Sequence, residues 1–338
     1  MKIDIALEPV FNAAEIAELG LLAERHGIET IWVTNDPQAR DLFMLYTRLA
    51  QETRRIRLGV MAVTPLEIHP IKLAGSLQTL NEMSNGRAAL VVGAGGAILA
   101  NTQLDLSRRV RAVRECVEIL QDAGAERPLN FNGELYPVWN FRLPWAVEPT
   151  PDVLVGANVD QMLRMSARRA DGIHMSDMPL PLVPGAIQKV RTALETHGRP
   201  AEGFEFNNFW AFHVKADRAS AEFEARNRLV LRGVLKELYI EPFLDDAEVK
   251  LVRDRMPNFY KAFYDKTDVI DDVPEAIIES LVRNLTLTAS VAELDARLEE
   301  LQAFADAGLT HLTLGLHDDP ADTIRLIGER VIPALGSN

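Results

Sequence analysis

Three things are scarce in this chain, and each scarcity excludes something. Cys116 is the one cysteine in 338 residues. It has no partner for an intramolecular disulfide and no Cys-x-x-Cys neighbour, so a disulfide framework and thiolate metal sites drop out, and a reducing cytoplasm is the expected compartment. Positive charge is in deficit: 36 Lys and Arg against 49 Asp and Glu give a formal −13. No basic cluster offsets that balance, which argues against a general binder of nucleic-acid phosphates. Long hydrophobic runs are missing as well. No window approaches the roughly 18 uninterrupted apolar residues of a membrane span, and the short apolar run inside Met1–Pro9 carries an acid, unlike an export signal.

Several chemical signatures are also absent. The spacing GxGxxG of a dinucleotide site, the GxxxxGK[ST] phosphate loop and the GxSxG nucleophile elbow do not occur. Cys116 sits within a helical pattern, Arg111 to Leu120, so nucleophilic catalysis has no support. His311 and His317 share a strand face but lie six positions apart, roughly 20 Å of strand, too far to share one ion. No metal is expected.

What is present is an ordinary globular composition, 47 % hydrophobic and 25 % charged, enough for a sizeable core. Short apolar runs alternate with helical periodicity along most of it. Strands are expected at Ile3–Leu7, Thr30–Thr34, Ile56–Met61, Ala88–Val92, Val153–Val155, Gly172–Met175, Phe204–Val214 and His311–Gly315. Helices are expected at Ala13–Arg25, Arg40–Glu52, Pro70–Met83, Arg108–Gln121, Asp160–Arg169, Pro184–Glu195, Val291–Asp306 and Pro320–Leu335. Such alternation predicts α/β architecture, a parallel (β/α)8 barrel in one domain over 1–338. Two stretches break the rhythm: a hairpin or loop excursion at Ala125–Glu148, and a charged, mostly helical insertion at Ala219–Leu285, expected to cap the catalytic end. Its aromatics (Tyr239, Phe243, Phe259, Tyr260, Phe263 and Tyr264) have the helical spacing of core or dimer contacts, with a pocket lining as the competing reading.

In a barrel, function resides at the C-terminal strand ends. That rule singles out Glu8, Asn35-Asp36, Ala62 to Pro65, Gly93 to Gly96, Gly156 to Asn158, Ser176-Asp177 and His317 to Asp319. The turn Gly93-Ala94-Gly95-Gly96 lets a ligand approach the backbone closely, although a tight connection would read the same way. Gly59 to Pro65 is small and apolar, the wall a flat aromatic ligand needs or simply a buried strand. Asn35-Asp36 offers a hydrogen-bond donor and a proton-transfer group, but Asn-Asp-Pro is also an ordinary turn. Glu8 equally suits a barrel-end cap.

The ordered set Arg40-Asp41-Leu42-Phe43-Met44, Arg55 to Gly59, Thr64-Pro65 with His69-Pro70, Glu82 to Arg87, Gly93-Ala94-Gly95, Val155 to Asn158 and Ala170-Asp171-Gly172 resembles the bacterial-luciferase-like flavin and deazaflavin oxidoreductases. Within them it looks most like the coenzyme F420-dependent methylenetetrahydromethanopterin reductase branch and its glucose-6-phosphate dehydrogenase relatives. The resemblance covers residues 1–195 and 285–335. It implies a luciferase-like TIM barrel that binds its cofactor at the C-terminal mouth, acts on a small-molecule substrate and forms a homodimer. It also implies a non-proline cis peptide at Met61–Ala62, behind the cofactor ring.

By the same resemblance Met61, Ala62, Thr64, Gly93, Gly95 and Gly96 line the ring or its tail, and Gly156, Ala157, Asn158, Ser176 and Asp177 hold the phosphate-bearing chain. Glu8 matches a strand-one acid. Two familiar polar groups are missing: the imidazole after strand two, where Asn35-Asp36 stands, and an acid after the glycine turn, where Gly96 stands. Asp36, Asn35 and Glu8 are therefore the catalytic candidates. The leading reading is F420-dependent hydride transfer. An FMN-dependent monooxygenase is the alternative, and a cofactor-binding protein without catalysis is the third. The connection from Gly96 to Arg108 reads as short, with an open substrate side.

Overall fold

The structure is a computed structural model, and it describes residues 1–36, 38–96 and 107–335. The connection after Gly96 falls largely on residues 97–106, outside the described ones. Apolar runs buried on both faces make the strands, as a parallel sheet covered by helices requires. The elements in order are β1 (Lys2–Leu7), α1 (Ala13–Arg25), β2 (Thr30–Thr34), α2 (Leu42–Leu45), α3 (Thr47–Glu52), β3 (Arg57–Val63), α4 (Pro70–Ser84) and β4 (Ala88–Val92). There follow α5 (Arg109–Asp122), β5 (Leu129–Phe131), β6 (Val138–Phe141), β7 (Asp152–Gly156), α6 (Asp160–Ser166), β8 (Gly172–Ser176), α7 (Val183–Thr196) and β9 (Glu205–Lys215). The insertion supplies α8 (Arg218–Asn227), α9 (Glu237–Ile240), α10 (Asp246–Asp254), α11 (Met256–Asp265) and α12 (Glu275–Leu285). The chain finishes with β10 (Thr286–Ser290), α13 (Leu294–Asp306), β11 (His311–Leu316) and α14 (Pro320–Leu326).

Strands β1, β2, β3, β4, β7, β8, β9 and β11 pair in that order and close through β11–β1, an eight-stranded parallel barrel. The predicted barrel is therefore present, with one addition. β9 is long: its middle pairs with β11, and its last residues pair with β10, Ala211 to Thr286 through Lys215 to Ser290. The excursion at 125–148 contains the expected hairpin, β5 against β6. The helix expected over Arg40–Glu52 is split at Tyr46, whose hydroxyl donates to the carbonyls of Ile31 and Gly59 and pins the break to the sheet. The closing helix contains a π turn at Ile327–Val331.

Much of the resembling motif Glu82–Arg87 is structural. Asn85 adopts a left-handed conformation that ends α4, and the Arg87 guanidinium donates to the carbonyls of Ala50, Thr53, Ile56 and Ser84. This one side chain closes the N-terminal rim of the barrel between α3, β3 and α4, answering carbonyls that would otherwise be left without donors.

The barrel interior is sealed by a polar lattice below the mouth. Fully buried Asp4 accepts from Trp32 Nε1 at 3.2 Å and Asn207 Nδ2 at 2.8 Å, and burial raises its carboxyl above the ordinary range. Asn207 also donates to Glu205, Thr313 donates to Asn207, and Arg57 bridges Glu205 and Asp152. Trp32 fills the axis because Gly59 leaves room: a Cβ there would lie 2.1 Å from the indole. Gly59 thus serves the core rather than a ligand wall. Above it Met61 packs with Trp32, Ala89, Val91 and Leu154, with Ala62 and Phe209 on the upper side.

The insertion carries a hydrophobic cluster of its own, including Leu229, Ile240, Val252, Phe259, Ile278 and Leu281. Phe259 is in that core, as its spacing predicted, while Tyr260 and Tyr264 stack on each other at the surface. No helix among the described residues is long and apolar enough to cross a membrane.

Candidate functional site

The C-terminal ends of the barrel strands form a mouth with two unlike halves. The first half is built by β2, β3, β4 and β7. The Met61–Ala62 peptide at the end of β3 is cis, as the resemblance implied. The register slips by one residue between Met61 and Val63 against β4. Asn35 braces that turn: its backbone N–H donates to Met61 O at 2.6 Å, and its Nδ2 donates to Ala62 O at 3.2 Å and Glu67 Oε1 at 2.8 Å. Glu67, half-buried there, has its carboxyl pushed up by desolvation. Thr64 is buried, with its hydroxyl accepting from Leu66 N.

Next to Ala62, among the described residues, the side chains vanish. A Cβ placed on Gly93 would lie 3.1 Å from Ala62 Cβ, and one on Gly156 would lie 3.7 Å from Gly93 Cα. Ala62, Gly93 and Gly156 therefore form a bare shelf across three adjacent strand ends. Gly95 and Gly96 continue it in backbone conformations that favour glycine, φ +115° and +40°. Asp36 stands apart from the shelf: it is exposed, and its carboxylate accepts from Gln38 N at 2.9 Å, the turn role that its sequence context also allowed.

The second half, built by β8, β9, β11 and β1, is charged and covered by the insertion. Asp217 caps α8 through Ser220 N, and the helix presents Glu224 and then Arg228 toward the mouth. The Arg228 guanidinium pairs with Glu8 and lies 3.7 Å from Asp318. Glu8 Oε1 also meets His317 Nδ1 at 3.0 Å. The His317 ring stacks on His213, with centroids 5.1 Å apart. His213 Nδ1 lies 3.5 Å from Glu224 Oε1, and Lys215 Nζ binds Glu224 Oε2 at 2.7 Å. Burial holds both imidazoles below the usual histidine range, His317 strongly so, and keeps them neutral. Lys215 and His213 draw the Glu224 carboxyl down to about 2 against its desolvation.

Asp177, at the end of β8, is sealed beneath the insertion. Its carboxylate pairs with Arg232 Nη1 at 2.9 Å and accepts from Gly233 N and Ser176 Oγ. Gly233 is required there, since a Cβ would lie 2.5 Å from the Tyr239 ring. Asn158 donates to Tyr239 Oη and to Ser176 O, both at 2.6 Å, and Arg232 lies over the Phe209 ring. Ala157 is buried, whereas Ser176 is exposed.

The structure thus brings Ala62, Gly93 and Gly156 into one surface with Met61 buried beneath it, joins Asn158, Ser176 and Asp177 in one network, and sets Glu8 opposite the shelf. His311 lies at the far end of β11, beside Glu205. The sequence reading passed over His213, Lys215, Glu224, Arg228, Arg232 and Phe209. A faint signal existed: His213 and Lys215 share a strand face, and Glu224 and Arg228 share a helix face.

Comparison with known proteins agrees with this geometry. The chain is 25 % identical to the 5,10-methylenetetrahydromethanopterin reductase of Archaeoglobus fulgidus, over 99 % of this chain and 100 % of that one. It is 22 % identical to the F420-dependent glucose-6-phosphate dehydrogenase of Nakamurella multipartita, over 96 % and 93 %. The coenzyme F420-dependent tetrahydromethanopterin reductase of Methanopyrus kandleri superimposes with a TM-score of 0.82 over 99 % of this chain and 100 % of that chain, at 18 % identity, which shows the shared fold. The luciferase-like monooxygenase family model matches residues 4–311, and the chain belongs to that family.

Proposed function

We propose that the protein is a coenzyme F420-dependent oxidoreductase that passes a hydride between the deazaflavin and a small organic substrate. The observation that carries this reading is the bare shelf of Ala62, Gly93 and Gly156, opposed across the mouth by Glu8, in a chain similar over nearly its whole length to enzymes named for F420. The residues fit a flat ring, because the shelf offers no side chain larger than a methyl where a ring would lie. When bound, the deazaflavin supplies two-electron hydride chemistry, which depends on orientation and shielding more than on a nucleophile.

The chain's own groups have separable tasks. Ala62, Gly93 and Gly156 shape the ring face, Met61 supports it from the core below, and Thr64, Gly95 and Gly96 border it. Asn35 positions the shelf through Ala62 O. Asn158 and Ser176 offer polar groups to the phosphate-bearing chain, with Gly156 and Ala157 providing its close backbone. Asp177 acts through Arg232, since its own carboxylate is engaged. Glu8, paired with Arg228 and fixed by His317, is the proton-transfer group, and Asp36 is left to its turn. The single buried cysteine suits a cytoplasmic enzyme, and a homodimer follows from the resemblance.

The test is a fluorescence titration of purified protein with F420 and, separately, FMN. Micromolar F420 binding with much weaker FMN binding is expected. The reverse preference would favour FMN-dependent monooxygenation, the activity in the family's name. Binding of neither would overturn both readings.

A further inference from the structure

The geometry points to a transition-metal site beside the mouth, formed by His213, Glu224 and His317, that takes a zinc-like divalent ion. One donor atom from each lies within 4.8 Å of one from each of the others, and all three residues are buried. They come from β9, α8 and the turn just after β11, so the barrel and the insertion both contribute.

Two independent observations single this cluster out. The first is a set of buried polar atoms without hydrogen-bond partners among the described residues: both ring nitrogens of His213, Glu224 Oε1 and His317 Nε2. Glu224 has only the ion-pair contacts described above to offset its burial. His213 Nδ1 has only the long 3.5 Å contact to Glu224 Oε1, so the buried ring forgoes hydrogen bonds that water would supply, a cost that metal coordination removes.

The second is the tautomer of His317. The Glu8 carboxylate, paired with Arg228, offers acceptor oxygens, so the 3.0 Å contact is a hydrogen bond donated by His317 Nδ1, and the Nε2 lone pair is free. A carboxylate behind a ligating histidine is the outer-shell device that orients and strengthens metal-binding imidazoles.

The donor set is two imidazoles and a carboxylate with a coordination position to spare, a zinc-type set. Bonds of about 2.0–2.1 Å in a tetrahedral site place donors roughly 3.3 Å apart. His213 Nδ1 and Glu224 Oε1 already stand 3.5 Å apart. The rings are stacked with 17° between their planes, so binding requires them to tilt toward a common point.

The surrounding charge tolerates the ion. Lys215 occupies only Glu224 Oε2, Arg228 is engaged by Glu8 and Asp318, and Arg232 is engaged by Asp177. Four carboxylates therefore face three cations before any ion enters. Hard, strongly hydrated magnesium or calcium, which prefer six or more oxygens, would find one carboxylate and two nitrogens, so the site selects against them.

The inference is independent of the cofactor assignment, and its test contains no F420. Chelator-treated full-length protein is titrated with Zn2+ by calorimetry and with Co2+ by visible absorption. One equivalent per chain and the absorption of tetrahedral cobalt are expected. Glu224→Gln and His213→Gln should each weaken binding by about 100-fold or more, and Glu8→Gln by about 10–100-fold. Circular dichroism checks folding of each variant, and Glu224→Gln, which keeps the side-chain shape, decides if His213→Gln does not fold. Absence of a one-to-one complex, or wild-type affinity in a folded Glu224→Gln protein, would overturn the site.

Discussion

Among the described residues, one half of the mouth is nearly empty of side chains, and the other is crowded with charge. The shelf on β3, β4 and β7 is made of residues whose value is what they lack, and it comes from consecutive strand–helix units of the barrel. The charged half joins β1, β8, β9 and β11 to the insertion, and its groups meet across large sequence separations: Glu8 with Arg228, Asp177 with Arg232. The contrast separates two tasks. On the proposed function, a flat surface is supplied by the common scaffold, whereas proton handling falls to the groups where scaffold and insertion meet.

The sharpest way to break this contrast is to unpair the sealed ion pair. Arg232→Met leaves the Asp177 carboxylate buried without its cation, and a loss of about 3–5 kcal/mol in denaturant stability is expected. The double variant Arg232→Met/Asp177→Leu should recover most of it, because two apolar groups leave no stranded charge. A mild single effect would mean that water reaches this half freely.

Acid should act next. His213, His317 and, in the barrel interior, His174 all have pKa values lowered by burial, His174 to about 4. Above about pH 6.5 they are neutral folded or unfolded and pH changes nothing through them. Below it the unfolded chain takes up protons that the folded chain refuses, so stability falls by about 1.4 kcal/mol per pH unit for each histidine. For His174 the fall continues to about pH 4. Urea unfolding across this range should show the decline, and His174→Gln should make it shallower.

Two glycines sharpen the comparison further. Gly59→Ala drives a methyl into Trp32 and should cost about 1–3 kcal/mol. Gly156→Ala meets ordinary contacts, 3.5 Å or more, so the melting temperature should barely move, while F420 affinity falls by about tenfold because the shelf is no longer flat. The smallest effect is Tyr239→Phe, which removes the hydroxyl that Asn158 reaches and should cost about 0.5–1.5 kcal/mol in thermal or chemical unfolding.

These two halves also differ in how far the sequence discloses them. Strands such as Ala88–Val92 announce themselves because burial on both faces demands unbroken apolar runs, and the glycines after them mark the shelf. β10 escaped notice because Thr-Leu-Thr-Ala-Ser looks like a polar connection. Its threonines are buried with their hydroxyls satisfied, Thr286 by Val282 O at 2.6 Å. Nothing local tells Arg232 that its partner is Asp177, or brings His213 to His317. Those encounters arise from strand register and the fold of the insertion, so they are visible only in three dimensions. Asp36 shows the converse, a chemically suggestive residue whose neighbours assign it to a turn.

The way β9 is shared has an evolutionary corollary. The chain leaves the barrel after Lys215, builds the insertion, and returns as β10 alongside the strand it left, with Ser290 beside Lys215. Because the two strands are parallel, the excursion re-enters at Thr286, beside Ala211 and roughly 13 Å along the strand from Lys215, so one strand pair holds both of its ends. Lengthening or exchanging such a stapled excursion adds little closure entropy, about 0.6 kcal/mol per doubling of length. Descendants of this chain could trade one cap for another, and with it one clientele of substrates for another, while the shelf beneath stayed untouched.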